Sequence, residues 1–427
     1  MDAGLAMYKL VEELFPICRS ITGNGLRETL KIIQREIPIS LQEVPSGTKV
    51  FDWVVPQEWN IRDAYMEDPS GKKIINFKEN NLHVMGYSLP VDKVISLEEL
   101  QEHLYSLDSL PEAIPYVTSY YKERWGFCIS RKQRESLVPG QYHVYIDSDL
   151  KDGSLTYGEL LIKGQTKKEI LLSTYVCHPS MANNELSGPV VAVALVKWLL
   201  TKKVTNRYSY RILFIPETIG SITYLSRHYQ ELQKNVRAGF VLTCMGDEKA
   251  YSFLPSRLGK TMADRVSLYY LHKMHPEFIR YSYLDRGSDE RQYCAPGIDL
   301  PVVSVMRSKH SVYPEYHTSF DNMNFISPKG LQDSFNLMQA ILNGLEGNRT
   351  YKCKCLCEPQ LGKRGLYPTL SMRNSGLTVK PMLNMLAYMD GSRDLLEIAD
   401  VIHYDYDKLM QMAEILSKNN LIGEVDI

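Results

Sequence analysis

The chain has 427 residues, with 49 Lys plus Arg against 50 Asp plus Glu. That length supports two to four domains and at least one sizeable core. The charge balance gives no support to nucleic acid or an anionic membrane as a main partner, and no run approaches the roughly 20 apolar residues of a membrane span.

Residues 4–36 carry helical periodicity, in Leu5, Tyr8, Leu10, Val11 and Leu14 and then in Leu26, Leu30 and Ile33, with a loop at 22–25 between them. From about 47 to 115 short β-rich runs (50–55, 74–77, 82–84) alternate with Pro and Gly turns, the texture of a small inserted β-rich domain. Residues 116–137 resume an α/β texture. Strands are then predicted at 143–146, 155–162, 169–176, 210–215, 238–244 and 302–306, and helices at 188–201, 221–233, 260–274 and 328–346. Such alternation predicts a three-layer α/β domain, built from residues 1–46 and 116–347, around a mostly parallel sheet.

Residues 348–427 form a separate C-terminal domain. Val379 to Met389 is apolar-periodic, Asp390-Gly391-Ser392 reads as a turn with a helix cap, and Leu395, Leu396, Ile398 and Ala399 face a core. A further helix runs over 406–418, and 419–423 ends it and starts a wing-like strand. Three short helices and a small ribbon predict a winged helix. From Val379 onward there are four Lys or Arg and nine Asp or Glu, a net of about −5, and phosphate binding requires the opposite sign. A packing or protein-interaction module is the expectation, with no nucleic acid as partner. Most of the eight Cys stand alone, and the opening stretch lacks the basic-then-apolar pattern of a secretion signal, so a reducing cytoplasm is expected. The exception is Cys353, Cys355 and Cys357, at alternate positions. They read either as a soft-metal face or as reduced thiols on a strand edge.

In open α/β sheets ligands bind beyond the carboxyl ends of the strands. The chemically suggestive residues fall there. His178 follows the apolar run 170–176 in Cys177-His178-Pro179-Ser180, ahead of Ser187-Gly188 at a helix start. Glu217 follows the strand ending Phe214-Ile215-Pro216, Asp247 follows that ending Cys244-Met245-Gly246, and His317 follows the last strand. Two His and two carboxylates form a nitrogen and oxygen set suited to zinc, and a nearby carboxylate such as Glu217 suits a general base. Plainer readings stand beside this one. Either His alone is also an ordinary loop residue, Glu217 could pair with Arg211 or Arg286, and Asp247 beside Glu248 and Lys249 could be a solvated turn.

Five segments carry a resemblance. They are Phe15-Pro16-Ile17-Cys18-Arg19-Ser20-Ile21-Thr22-Gly23-Asn24-Gly25, the Cys-His-Pro segment, Pro216-Glu217-Thr218-Ile219-Gly220-Ser221, Tyr316-His317-Thr318-Ser319, and residues 358–368. On these the chain resembles the zinc-dependent aminopeptidase superfamily that includes glutaminyl cyclases. More closely it resembles the bacterial aminopeptidase-like domain proteins with an inserted β-rich domain and a C-terminal winged helix. The resemblance implies His178 and His317 as the first and last zinc ligands and Glu217 as general base. Asn184 stands where an Asp bridges two metals, Thr218 where a second Glu is a ligand, and Ser180 where an Asp orients the first His. The strand-end Asp is replaced near Thr243, leaving Asp247 as the nearest carboxylate, with Glu185 a fallback ligand. With those anionic oxygens lost, one zinc is expected rather than two. The segment 285–291 resembles the one lining the substrate pocket, so Arg286, Asp289, Arg291 and Tyr316 are candidate substrate contacts, an Arg clamping a carboxylate. The expected activity is zinc-dependent hydrolysis of an amide in a small peptide or an amino-acid or amino-sugar derivative. The alternative is a binding protein with the same pocket and no turnover, linked like such relatives to surface polysaccharide biosynthesis.

Overall fold

Buried strands flanked by helices organise the larger unit. The computed structural model describes residues 3–202, 204–366 and 376–425. It divides into two units, Met1–Met338 and Gln339–Ile427.

In the first unit the strands of the large sheet are β1 (Ser40–Pro45), β2 (Ser154–Ile162), β3 (Glu169–Tyr175), β4 (Ser209–Ile215), β5 (Val236–Val241), β6 (Ser252–Leu254), β7 (Ile279–Arg280) and β8 (Val302–Met306), in the spatial order β1-β2-β4-β3-β5-β8-β6-β7. The central run β4-β3-β5-β8 is parallel throughout, and β1, β2 and β6 join antiparallel. Every residue of β3 and β4 is buried. A parallel strand covered on both faces loses the alternation of polar and apolar residues, and this is why 170–176 reads as a continuous apolar run.

The longer helices are α1 (Ala3–Leu14), α2 (Asn24–Glu36), α3 (Ser187–Thr201), α4 (Ile219–Asn235), α5 (Met262–Met274) and α6 (Pro328–Gly347), the last running from the first unit into the second. α3 is apolar nearly all round and buried over its first two turns, with Lys197, Leu200 and Thr201 exposed at its far end. Its Gly188 lets it lie directly on the chain after β5, since a Cβ there would sit 2.1 Å from the Leu242 carbonyl oxygen. α2 begins inside the predicted 22–25 loop, after Gly23 at φ 95.

A second sheet of four antiparallel strands pairs Glu58–Glu67 with Lys73–Asn76 and with Gln141–Lys151, which in turn pairs with Val91–Ser96. The strand predicted at 143–146 therefore serves this β-rich layer and not the large sheet. The run 82–84 is a 3₁₀ turn (Asn81–His83) instead of a strand, and 50–55 splits into a hairpin of Lys49–Val50 and Trp53–Val54.

The second unit holds helices Gly376–Ala387, Leu395–Ile402 and Tyr406–Lys418 and an antiparallel sheet in the order Asp390–Asp394, Thr350–Cys353, Ile422–Glu424. Residues 390–392 are strand, not turn, and the helix cap is Asp394, which accepts from Glu397 N in a capping box. Cys353 ends a strand while Cys355 and Cys357 lie beyond it, and the three thiols form no metal-sized donor group among the described residues. Tyr367 and Pro368 of the segment 358–368 lie outside the described residues. Among the described residues no helix is long and apolar enough to cross a membrane.

Candidate active site

The turn after β3 carries most of the site. Ala182–Leu186 makes a single π-helical turn that runs into α3. Such turns recur at functional sites because they redirect side chains within a helix. Here the turn aims Glu185 back at His178, with Oε2 2.7 Å from Nδ1, and both side chains are almost completely buried. Asp321 holds the turn from its other side. Its carboxylate accepts from Asn183 N at 2.6 Å, Asn184 N at 2.9 Å and Tyr313 OH at 2.9 Å, and its backbone oxygen accepts from Ala182 N at 2.9 Å.

Other strand ends complete the arrangement. After β4, Glu217 places Oε2 3.6 Å from His178 Nε2 and donates its backbone N–H to Cys177 Sγ at 3.2 Å. After β8, His317 sits with its ring centroid 5.1 Å from that of His178. Tyr116 packs against both imidazoles, 4.9 and 5.1 Å away, and donates its backbone N–H to His317 O at 2.8 Å. Ser180, Thr218, Cys244 and His317 all have φ between 45 and 63. Strained non-glycine backbone gathered at the ends of a sheet marks a site whose shape the surrounding fold imposes.

Burial governs the protonation states. It pushes His178 down to about 3, with the Arg19 charge adding to the effect, and drives His317 well below the ordinary range. Both imidazoles are neutral at physiological pH, the form that ligates metals. Burial raises Glu217 to about 8, helped by the neighbouring Asp289 charge. It likewise raises Glu185 to about 8 against the pull of Arg19, and Asp289 to about 7.

In chemical type these nitrogen and oxygen donors suit one zinc-type cation. His317 Nε2 and Asn184 Oδ1 are buried with no hydrogen-bond partner, and His178 keeps Nε2 clear because Nδ1 is tied to Glu185. They do not fit two cations, which need several anionic oxygens. Asn184 is neutral. Thr243 is spent on a hydrogen-bonded ring in which Asn184 Nδ2 donates to Tyr175 OH, Tyr175 OH to Thr243 Oγ1, and Thr243 Oγ1 to Asn184 O. Thr218 Oγ1 accepts from Arg291 Nη2 at 2.5 Å. Among the described residues the one trio of His, Cys, Asp or Glu donors within 4.8 Å of one another is Cys177, His178 and Glu185, and His178, His317 and Glu217 do not close to that spacing. A metal there would have to break the His178–Glu185 bond, and burial holds the Cys177 thiol well above its ordinary pKa.

The remaining sequence candidates divide. Asp247 is a correction. Lys249 N and Ser308 Oγ saturate its Oδ1, and Asn183 Nδ2 and Ser308 N its Oδ2, so it pins two loops and is not free to ligate. Arg286 is a second correction. It is exposed, with its guanidinium over the Tyr283 ring, and it does not line the cavity. Arg211 pairs with Glu169, Glu159 and Glu231 and leaves Glu217 alone. Asp289 is buried and accepts from Thr218 N at 2.7 Å and Ser221 Oγ at 2.8 Å, so it holds the start of α4 from below. Tyr316 stacks on His317 at 3.8 Å, and Arg291 lines the cavity. That cavity, about 390 Å³, takes in His178, Glu217 and His317 together with Trp53, Tyr121 and Arg291. A larger groove of about 830 Å³ beside residues 15–18 and 77–82 contains none of these.

Sequence reasoning assigned no role to Arg19, Tyr116 or Asp321, and treated Glu185 as a spare ligand. Arg19 is 1% exposed and donates Nε to His178 O at 3.0 Å and Nη1 to Leu14 O at 2.6 Å. An Arg among Ile17, Cys18 and Ile21 was the available signal for it.

Residues 8–348 match the family model described as domain of unknown function DUF4910, and residues 349–424 match a winged helix-turn-helix. The chain belongs to the DUF4910 family. A Clostridium acetobutylicum protein, named for polysaccharide biosynthesis and an aminopeptidase-like domain, is 45% identical to this DUF4910 chain over 99% of its length and 96% of the relative's. A crystal structure from Clostridium acetobutylicum that carries the name of a peptidase matches it with a TM-score of 0.92 at 45% identity, covering 99% of this chain and 96% of that one. A zinc aminopeptidase from Bacillus subtilis matches with a TM-score of 0.56 at 15% identity, over 81% of this chain and 94% of that one. That last likeness shows the fold. The DUF4910 chain has the aminopeptidase-like α/β fold with a winged helix at its C-terminus.

Proposed function

We propose that this DUF4910 protein is a metal-dependent amide hydrolase of the exopeptidase type, holding one zinc through His178 and His317 with Asn184 Oδ1 as a neutral third donor. The observation that carries the reading is the meeting of two neutral imidazoles and Glu217 at one cavity, with His317 Nε2 and Asn184 Oδ1 buried and unpartnered. Bound zinc supplies Lewis acidity toward a carbonyl oxygen. Burial raises the basicity of Glu217, and in its ionised form, which a neighbouring cation would favour, Oε2 takes a proton from the attacking water and returns it to the leaving amine. Glu185 fixes the tautomer of His178 by accepting at Nδ1. Tyr116 packs against both imidazoles and limits how far either ring can turn.

The substrates fitting this reading are small peptides or amino-acid or amino-sugar derivatives, and the relative's name, which mentions polysaccharide biosynthesis, supports including amino sugars in that class. The eight free thiols suit a reducing cytoplasm. The acidity of the winged helix suits a packing or protein-binding role. A second reading, binding without turnover, draws on the neutral Asn184 and Thr243 and on Thr218.

Metal content by mass spectrometry tests the proposal, on protein purified without an affinity metal. About one zinc per chain is expected, lost in the His178→Ala plus His317→Ala variant. Glu217→Gln is expected to keep zinc and to lose amide hydrolysis. No metal after zinc is supplied overturns the proposal in favour of the binding reading.

A further inference from the structure

Among the described residues, those lining the active-site cavity include two charged side chains, Glu217 and Arg291. Glu217 lies 3.6 Å from His178 and is taken up by the proposed chemistry. Asp289 is wholly buried and spends Oδ1 on Thr218 N and Ser221 Oγ. A free α-ammonium, with three donors and a full charge, therefore meets no spare carboxylate in the cavity. A carboxylate meets a guanidinium.

The guanidinium is built into place. Asp289 anchors the backbone N–H of Thr218, and Thr218, a β-branched residue held at φ 63, presents Oγ1 to Arg291 Nη2 at 2.5 Å. A β-branched residue at positive φ is a genuine outlier, and such strain persists only where the surroundings impose it. The bond fixes one edge of the Arg291 plane. Nη1 and the second N–H of Nη2 make no hydrogen bond among the described residues and remain for an end-on forked contact. Trp53 and Tyr121, 40% and 53% exposed, line the same cavity with rings 5.9 Å apart. They offer flat apolar faces to the rest of a ligand.

We infer that the cavity takes an N-acylated compound whose carboxylate is gripped by Arg291, and that it rejects substrates with a free α-ammonium. Resting on the hydrolase reading, this narrows the substrate class to carboxylate-bearing amides, such as blocked peptides and N-acyl amino acids.

Isothermal titration of the full chain, with and without added zinc, tests it with three probes: N-acetylglycine, N-acetylglycinamide and glycinamide. N-acetylglycine is expected to bind at least tenfold tighter than either amide. Arg291→Gln should erase that preference with unchanged zinc content and thermal midpoint, and Arg291→Lys should fall between the two. Glycinamide binding as tightly as N-acetylglycine, or Arg291→Gln binding N-acetylglycine like the wild type, overturns the inference. If zinc is not bound even when supplied, while the preference is present and is lost in Arg291→Gln, the carboxylate clamp stands and the hydrolase reading falls, so the two failures are distinguishable.

Discussion

Replacing Glu185 gives the sharpest check on how His178 is held. The bond from His178 Nδ1 to Glu185 Oε2 is 2.7 Å long, and the side chains are 5% and 0% exposed. At that length it is a short, well-formed hydrogen bond. Outer partners of ligating imidazoles are worth about 10–100-fold in metal affinity, or about 1.4–2.7 kcal/mol. Glu185→Gln keeps a carbonyl acceptor at the same distance, so its loss should sit near the lower figure, about tenfold. Glu185→Ala frees the ring to rotate and should approach 100-fold. Competition for zinc against a chromophoric chelator at pH 7.5 measures both, with the zinc-free thermal midpoint as a folding control. A folded Glu185→Ala protein that binds zinc within about twofold of the wild type would refute the reasoning. If that variant does not fold, the Glu185→Gln figure decides alone.

Two further perturbations probe the frame around the site. Gly188→Ala would set a methyl group 2.1 Å from Leu242 O and 2.6 Å from Thr174 Oγ1, contacts that backbone must move to relieve. A loss of about 1–3 kcal/mol is expected from overpacking, read from urea midpoints, and a change below about 0.5 kcal/mol would contradict the close approach. Glu58 is held at about 2 by its forked bond to Arg27, helped by Asn60 and the Ser154 N–H, against an ordinary value of 4.5. A carboxyl lowered by folding stabilises above its unfolded value, so this contribution is complete above about pH 4.5 and fades as the pH falls toward 2. Arg27→Met should therefore cost about 2 kcal/mol at neutral pH, after allowance for solvent screening, and progressively less below pH 4.5. A cost that stays constant down to pH 2.5 would rule this pair out as the cause.

The parallel core was legible because a strand buried on both faces has only one kind of sequence. β3 and β4 announce themselves as apolar runs, and His178 and Glu217 follow at their ends. His317 was legible in the same way. What could not be read was commitment to partners distant in sequence. Asp247 looks as available as Glu217 until Asn183 and Ser308 are seen to saturate it. Glu185 looks like a helix-start residue until the π-helical turn swings it inward, and no periodicity encodes that extra residue in the turn. The strand 141–151 shows why layer assignment fails. Its alternating burial fits either sheet, and pairing with 58–67 and 91–96 decides the matter.

Asp321 ends the loop that begins at His317, and three of its bonds grip Ala182, Asn183 and Asn184. The two imidazoles therefore belong to one opening unit. Any fluctuation that lifts the 317–321 loop drags the 182–186 turn with it, so the site is lost or kept as a whole. Amide hydrogens at 182–184 and at 318–321 should then exchange at a common rate, set by one shared opening event. A ligand that bridges the cavity would slow both sets together, although they lie more than 130 residues apart in the chain.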